Sequence, residues 1–381
     1  VGAGYMLKLP AIDLAEIGAG GGSICRLDAA GAPKIGPESA GANPGPVCYG
    51  RGGEHPTITD CSLVLGYLDP AGLAGGTLKL DVKAAHQAVE KNLAIPMARS
   101  VEQAAFGMLR LAAAAMMRAI RSVSVERGRD PRQFTLLAFG GNGPLFAAAI
   151  AAELGIARVL IPPMPGLFSA FGLLVGDTEH HISRSLRLRL TEKLGAADIA
   201  RVQALLDTLA ETGAARLRED GFSLESCEFR LSASARYVGQ STEIPVFLEP
   251  AEERTDAAAL LSALPEKFAS EHERTYGFRA PPNEPVELMG LAMIARFLPD
   301  RPRLPAAIPP ASVRVPASRR AWFPGQGWVE TKVLDRAGLA GAASPRPGPL
   351  IIQEYDATCL VPPGASAVLD SFGNICLELS G

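Results

Sequence analysis

The chain has 381 residues, 48% of them hydrophobic and 20% charged, with a formal net charge of −3; this is the make-up of a soluble globular protein able to bury a large core in two or three domains. Without a basic excess or a polybasic run, neither a nucleic-acid partner nor a membrane surface is expected. Six cysteines (Cys25, Cys48, Cys61, Cys227, Cys359 and Cys376) lie far apart without CxxC spacing, so they read as reduced, buried thiols, which implies a cytoplasmic location.

Residues 1 to about 70 are rich in glycine and proline, with only short strand-like runs, and read as an ordered binding loop. Gly18 to Ser23 spell GAGGGS. Here Gly20, Gly21, Gly22 and Ser23 form either a nest of backbone N–H groups for a phosphate or carboxylate, or a plain flexible turn. The next loop offers Tyr49 as a donor to an oxyanion and Arg51 as a bidentate clamp. Cys48 is a weaker candidate, a nucleophile with no histidine near it in sequence except His55. Asp60 ends the loop. Its carboxylate suits a catalytic role or a Mg²⁺ held through water, and equally suits the cap of a helix starting at Cys61. Asp13 and Glu16 are lesser candidates of the same kind.

Two helices are expected over 80–128, the second an apolar core helix ending near Gly128. Its stretch Ala104 to Ile120 contains Arg110 and Arg118 and reads as buried rather than membrane-spanning. A strand over 134–139 then enters the turn Gly140, Gly141, Asn142, Gly143, Pro144, and a helix over 144–154 leaves it. Such a turn lets a ligand approach the backbone and presents helix N–H groups to an anion; it also serves as a tight structural connection. It is neither a GxGxxG fingerprint nor a Walker A loop, since no Lys-Ser/Thr follows. A strand over 157–161 and a helix near 167–176 complete an α/β pattern.

Near Asp177 the pattern changes. A long strand begins at His180 and His181, helices are expected at about 197–219 and 253–272, and strands at about 226–238 and 241–249, together an α+β domain. Adjacent histidines on a strand point to opposite faces and do not make a metal pair. Residues 301–317 read as a proline-rich linker, and the short strands over 318–381 as a small β domain.

The strings DLAEIGAGGGSI (13–24), GPESAGANPGPVCYGRGGEHPTITD (36–60), FGGNGP (139–144) and IPPMPGLFSAFGLLVGD (161–177) resemble the hydantoinase A family. Echoes continue in RYVGQSTEIPV (236–246), HERTYGF (272–278), WVETKVLDR (328–336) and IIQEYDATCLVPPG (351–364), so the resemblance spans nearly the whole chain. It implies the second half of an actin-like (sugar kinase/actin superfamily) ATPase fold over 1–178, an α+β domain over 179–300, the linker over 301–317 and a small C-terminal β domain over 318–381. ATP is the implied cofactor, with Mg²⁺ or another divalent cation. Its adenosine part would lie on Gly140, Gly141, Asn142 and Gly143, with phosphate or substrate near Gly20, Gly21, Gly22 and Ser23. In the family the opening segment lies mid-polypeptide, after an N-terminal half whose two acidic, Gly-rich phosphate-binding turns are not in this sequence. The implied partners are therefore a chain supplying that half and a larger hydantoinase B-like subunit.

The implied reaction is ATP-dependent opening of a cyclic amide such as a hydantoin or 5-oxoproline, through phosphorylation of a carbonyl oxygen. The alternatives are ATP-dependent carboxylation of a ketone of the acetone or acetophenone type, and a noncatalytic assembly role. Relatives commonly carry a histidine where Phe146 stands, and Phe146 can neither donate a hydrogen bond nor take a proton.

Overall fold

Two short strands and a capped helix occupy the stretch expected to be an irregular loop. The computed structural model describes residues 14–73, 75–190, 194–248, 256–281, 284–299, 315–340 and 344–379. Strands β1 (Ser23–Leu27) and β2 (Pro33–Ser39) form an antiparallel hairpin. Thr57 then caps α1 (Ile58–Val64), every residue of which is buried. Helix α2 (Val82–Val89) continues through a wider turn into the single-turn α3 (Ile95–Met97). Ser100 and Gln103 box the start of α4 (Val101–Val123), whose Ala104, Ala105, Met108, Leu109 and Ala112 face the core at helical spacing. Strand β3 (Leu136–Leu137), α5 (Gly143–Leu154), β4 (Arg158–Ile161) and α6 (Phe168–Val175) follow in the expected order. The expected strand over 134–139 is reduced to its two central residues, because the glycine turn begins immediately after it.

The chain divides into two units. The smaller contains β5 (Thr178–Leu190), α7 (Ala196–Glu219), β6 (Cys227–Tyr237), β7 (Ile244–Phe247), α8 (Ala257–Tyr276) and β8 (Val286–Phe297). Its antiparallel sheet runs β5-β8-β6-β7, with α7 packed on β5 and β8 and α8 on β7. Strand β8, a central strand of that sheet, has no counterpart in the sequence-based expectations. Its nearly continuous apolar run lacks the alternation that marks a half-exposed strand.

The larger unit comprises Ala15–Val125, Asp130–Leu174 and Arg303–Gly381. Its last part supplies β9 (Ser318–Phe323), β10 (Gly327–Leu334), β11 (Arg346–Pro347), β12 (Leu350–Gln353), β13 (Thr358–Val361), β14 (Ala365–Leu369) and β15 (Ile375–Leu379). These strands correct the expectation of a separate small β domain over 318–381. Strand β15 pairs antiparallel with β4, Ile375 opposite Ile161 and Glu378 opposite Arg158, so the five-stranded sheet β11-β14-β15-β4-β3 is built from both segments. A second sheet, β13-β12-β10-β9, packs into the same hydrophobic core. Of the proline-rich stretch, residues 301–314 lie outside the described residues, as does Asp13.

The join between α1 and β9 shows how close the two segments come. Trp322 N donates to Leu65 O at 2.9 Å, and Tyr67 Oη donates to Trp322 O at 2.7 Å. Between them Gly66 adopts φ +78°, where a Cβ would stand 2.1 Å from Arg320 O, so only glycine fits. Gly66→Ala is therefore expected to cost at least about 2 kcal/mol, from left-handed strain and the displaced strand. Urea denaturation checks this; an unchanged midpoint would mean that the two segments are not tightly joined there.

Candidate functional site

Thr57 and Asp60 stand at capping-box spacing, and the structure realises that box. Asp60 is fully buried. Its Oδ2 accepts from Thr57 N and Thr57 Oγ1, each at 2.8 Å, and from Val47 N at 3.2 Å, while Oδ1 accepts from Cys48 N at 2.7 Å. The carboxylate is thus consumed in fastening the loop over 46–48 to the start of α1. These contacts are those of a helix cap, one of the two readings the sequence allowed for Asp60; the catalytic and Mg²⁺-holding reading stays a proposal. Among the described residues no group of three His, Cys, Asp or Glu side chains is placed to hold a metal.

The clamp sets Tyr49 at the wall of a cleft of about 780 Å³ that lies within the larger unit. Burial, with the neighbouring Cys48 and Asp60 adding to it, raises the Tyr49 phenol above its ordinary range, so it is a donor at neutral pH. Arg51 is exposed, donates to Ala42 O at 3.4 Å and does not line the cleft. That corrects its reading as a clamp on a ligand. The glycine run divides likewise. Gly21 and Gly22 line the cleft; Gly20 N donates to Ser23 Oγ at 2.8 Å, and Ser23 Oγ donates to Gly18 O at 3.2 Å, so these two residues close the loop on itself. Thr59 then ties that loop to α1, its N and Oγ1 both donating to Gly21 O.

From the other side come Gly141 and Asn142, which also line the cleft, while Gly140 and Gly143 shape the turn. Gly140 N donates to Pro165 O at 2.7 Å, and Gly143 begins α5. Asn142 makes no side-chain cap bond and lies against Gly21, where a Cβ would be 2.7 Å from its Nδ2. Phe146, one turn into α5, is buried in the core. The backbone N–H groups of Gly21, Gly22, Gly141 and Asn142 donate to no acceptor among the described residues. All four of these residues line the cleft.

Sequence reading missed a further part of the cleft lining, the turn between β12 and β13. Gln353 Nε2 donates to Asp69 Oδ2 at 2.9 Å, and its Oε1 accepts from Arg319 Nη2 at 2.8 Å. Glu354 pairs with the fully buried Arg336, whose other donors reach Ile161 O, Pro162 O and Gly373 O. Asp356 Oδ2 accepts from Gly166 N at 2.7 Å. The available signal was the cluster of polar residues QEYDAT between two apolar runs, a turn too charged for simple punctuation.

The remaining family strings serve the smaller unit. His272 is fully buried among the rings of Tyr237, Phe268, Tyr276 and Phe278. Tyr237 N donates to Gln240 Oε1, which orients that amide to donate through Nε2 to His272 Nε2 at 3.1 Å, and Nδ1 donates to Phe278 O. This is a satisfied core histidine. His180 and His181 pair separately with Asp220 and Glu179.

Two family models match the chain, hydantoinase/oxoprolinase over residues 1–182 and the hydantoinase/oxoprolinase C-terminal domain over 190–378. The chain belongs to the hydantoinase/oxoprolinase family. Among members of that family, it is 39% identical to caprolactamase subunit alpha of Pseudomonas jessenii over 96% of this chain and 52% of the relative. To the acetone carboxylase beta subunit of Xanthobacter autotrophicus it is 30% identical, with the same coverage of each. The crystal structure of the ATP-dependent caprolactamase from Pseudomonas jessenii superposes with a TM-score of 0.81 at 37% identity, covering 96% of this chain and 52% of that one. For a nucleotide-free acetone carboxylase the TM-score is 0.69 at 28% identity, with the same coverage. The chain therefore spans about half the length of these relatives, and its mixed α/β fold is theirs over that span.

Replacing Asp60 with asparagine turns one acceptor into a donor facing backbone N–H groups. Asp60→Asn is expected to lower stability by about 3 kcal/mol, read by chemical denaturation; full stability with altered ligand binding would support a functional role. Burial, reinforced by the Asp60 charge, pushes the Cys48 thiol far above its usual range, and burial does the same for Cys359. A raised pKa leaves less thiolate at every pH. Alkylation of the native protein at pH 8 is thus expected at the partly exposed Cys227 and Cys376 before Cys48 or Cys359. Mass spectrometry of the labelled peptides checks the order, and early labelling of Cys48 would contradict it.

Proposed function

We propose that this chain is part of an ATP-dependent cyclic amide hydrolase, in which it forms one wall of the nucleotide and substrate site. The observation that carries this reading is the unpaired row of backbone donors at Gly21, Gly22, Gly141 and Asn142 on the wall of a single glycine-lined cleft. A Cβ at Gly21 would meet Asn142, and one at Gly22 would stand 2.8 Å from Ser39 Oγ, so side chains there would fill the cradle that a polyphosphate needs. The cleft fits ATP in volume and in donor type. Bound ATP supplies the phosphoryl group that converts an amide carbonyl oxygen into an activated one. The chain's own part is positioning: the N–H groups of Gly21 and Gly22 meet phosphate, the turn over 140–143 meets the adenosine part, Tyr49 donates a hydrogen bond from the loop that Asp60 fixes, and Asn142 offers its amide beside Gly21.

Higher identity and a higher TM-score with the caprolactamase than with the acetone carboxylase favour amide opening over ketone carboxylation. The actin-like ATPase arrangement belongs to this same reading, completed by the half that the relatives carry beyond this match. Strand β3 is the open end of its sheet, and Leu137 and Phe139 beside it are exposed, an apolar edge suited to packing against that half. In this reading any Mg²⁺ is held by the nucleotide.

The test is isolation of the native complex, followed by ATP turnover measured with a lactam, a hydantoin, 5-oxoproline, or acetone plus bicarbonate. Turnover stimulated by a cyclic amide is expected. Stimulation by the ketone alone would move the assignment to a carboxylase, and no ATP binding by the complex would leave an assembly role.

A further inference from the structure

We propose that Tyr355 is the stacking platform for the nucleotide base, and that the turn over 353–358 is the base-recognition wall of the cleft. The proposal rests on the ATP reading above and deepens it. Tyr355 is 54% exposed, lines the cleft, and its hydroxyl has no partner among the described residues. One side of its ring lies on Gly75. A Cβ at Gly75 would stand 2.5 Å from Tyr355 Cε2, and the backbone there has φ +67°, so glycine is required both for the turn and for the seat of the ring.

The ring is held by its neighbours rather than by its own polar group. Gln353 is fastened to Asp69 and Arg319, Glu354 to buried Arg336, and Asp356 to Gly166 N. Three of the four residues around Tyr355 in sequence are therefore locked, and the aromatic side chain is presented on a rigid turn. A preorganised, half-exposed ring loses little freedom on binding a flat partner.

Contacts link the parts of the cleft lining. Gly21 meets Asn142, Gly141 approaches Asp356 O, and Tyr355 meets Gly75. Through Gly141 and Asp356 the turn over 353–358 adjoins the donor row. Leu73 and Leu167 add apolar lining. A ring with aliphatic side chains beside it suits the flat face of a base.

The test is calorimetric titration of the native complex, purified with the wild-type or the variant chain, with ATP and with inorganic tripolyphosphate, which has no base. Tyr355→Ala is expected to weaken ATP binding roughly 10-fold while leaving tripolyphosphate affinity unchanged, and Tyr355→Phe is expected to retain wild-type affinity for both. ATP affinity unchanged in Tyr355→Ala would overturn the proposal, as would an equal loss for both ligands, which marks a structural role. Failure of the wild-type complex to bind either ligand would instead overturn the ATP reading and the base platform with it. Binding of ATP by the wild type without a loss in Tyr355→Ala would leave that reading intact and remove only the platform.

Discussion

Asp60 organises the larger unit because one buried carboxylate is shared by two pieces of backbone that would otherwise be independent. Thr57 belongs to the start of α1, and Val47 and Cys48 belong to a glycine- and proline-rich loop with few side chains to bury. Such a loop has little apolar surface to offset its conformational entropy. Charge-assisted bonds from the loop's own N–H groups supply the order that packing cannot, and they are stronger than neutral ones. Position then propagates outward: Tyr49 follows Cys48, and Thr59, one residue before Asp60, holds Gly21. The cleft inherits its geometry from an acid that never touches it.

This explains why sequence reading found the neighbourhood and left two parts open for Asp60. An aspartate after a glycine-rich loop is chemically the same object whether it faces a metal or three backbone amides, and only the fold decides. The Thr57–Asp60 spacing did carry the structural answer, as a capping box. Strand-turn-helix order over 134–161 was legible because proline, glycine and alanine enforce it locally. Strand β8 was not, since a continuous apolar run fits a buried helix as well as a buried strand. The turn between β12 and β13 was hidden for another reason. Gln353, Glu354 and Asp356 acquire meaning only through Asp69, Arg336 and Gly166, residues distant in sequence, and pairing across such distances leaves no local pattern.

Arg336 and His272 show the same logic in the two units. Each is a polar side chain in a core, tolerated because its hydrogen-bonding groups find partners. Arg336 spreads its donors over three carbonyls and Glu354, so the floor beneath the cleft is polar yet closed. His272 sits in an aromatic ring of neighbours with both nitrogens engaged. Family-like strings in this chain thus mark buried polar junctions as well as the cleft, and their presence alone does not identify chemistry.

The pairing of β15 with β4 also sets a timetable. Strand β4 leaves the ribosome roughly 200 residues before the strand that covers its edge, and at ordinary synthesis rates that interval is on the order of 10–40 s. The segment Val175 to Pro302, which carries all the strands of the smaller unit's sheet, is made in between. That sheet can form while the older part of the larger unit still waits with a bare apolar edge. Nascent chains of this protein therefore present a sticky strand for a defined period, and they are natural clients for a chaperone that shields edges during translation.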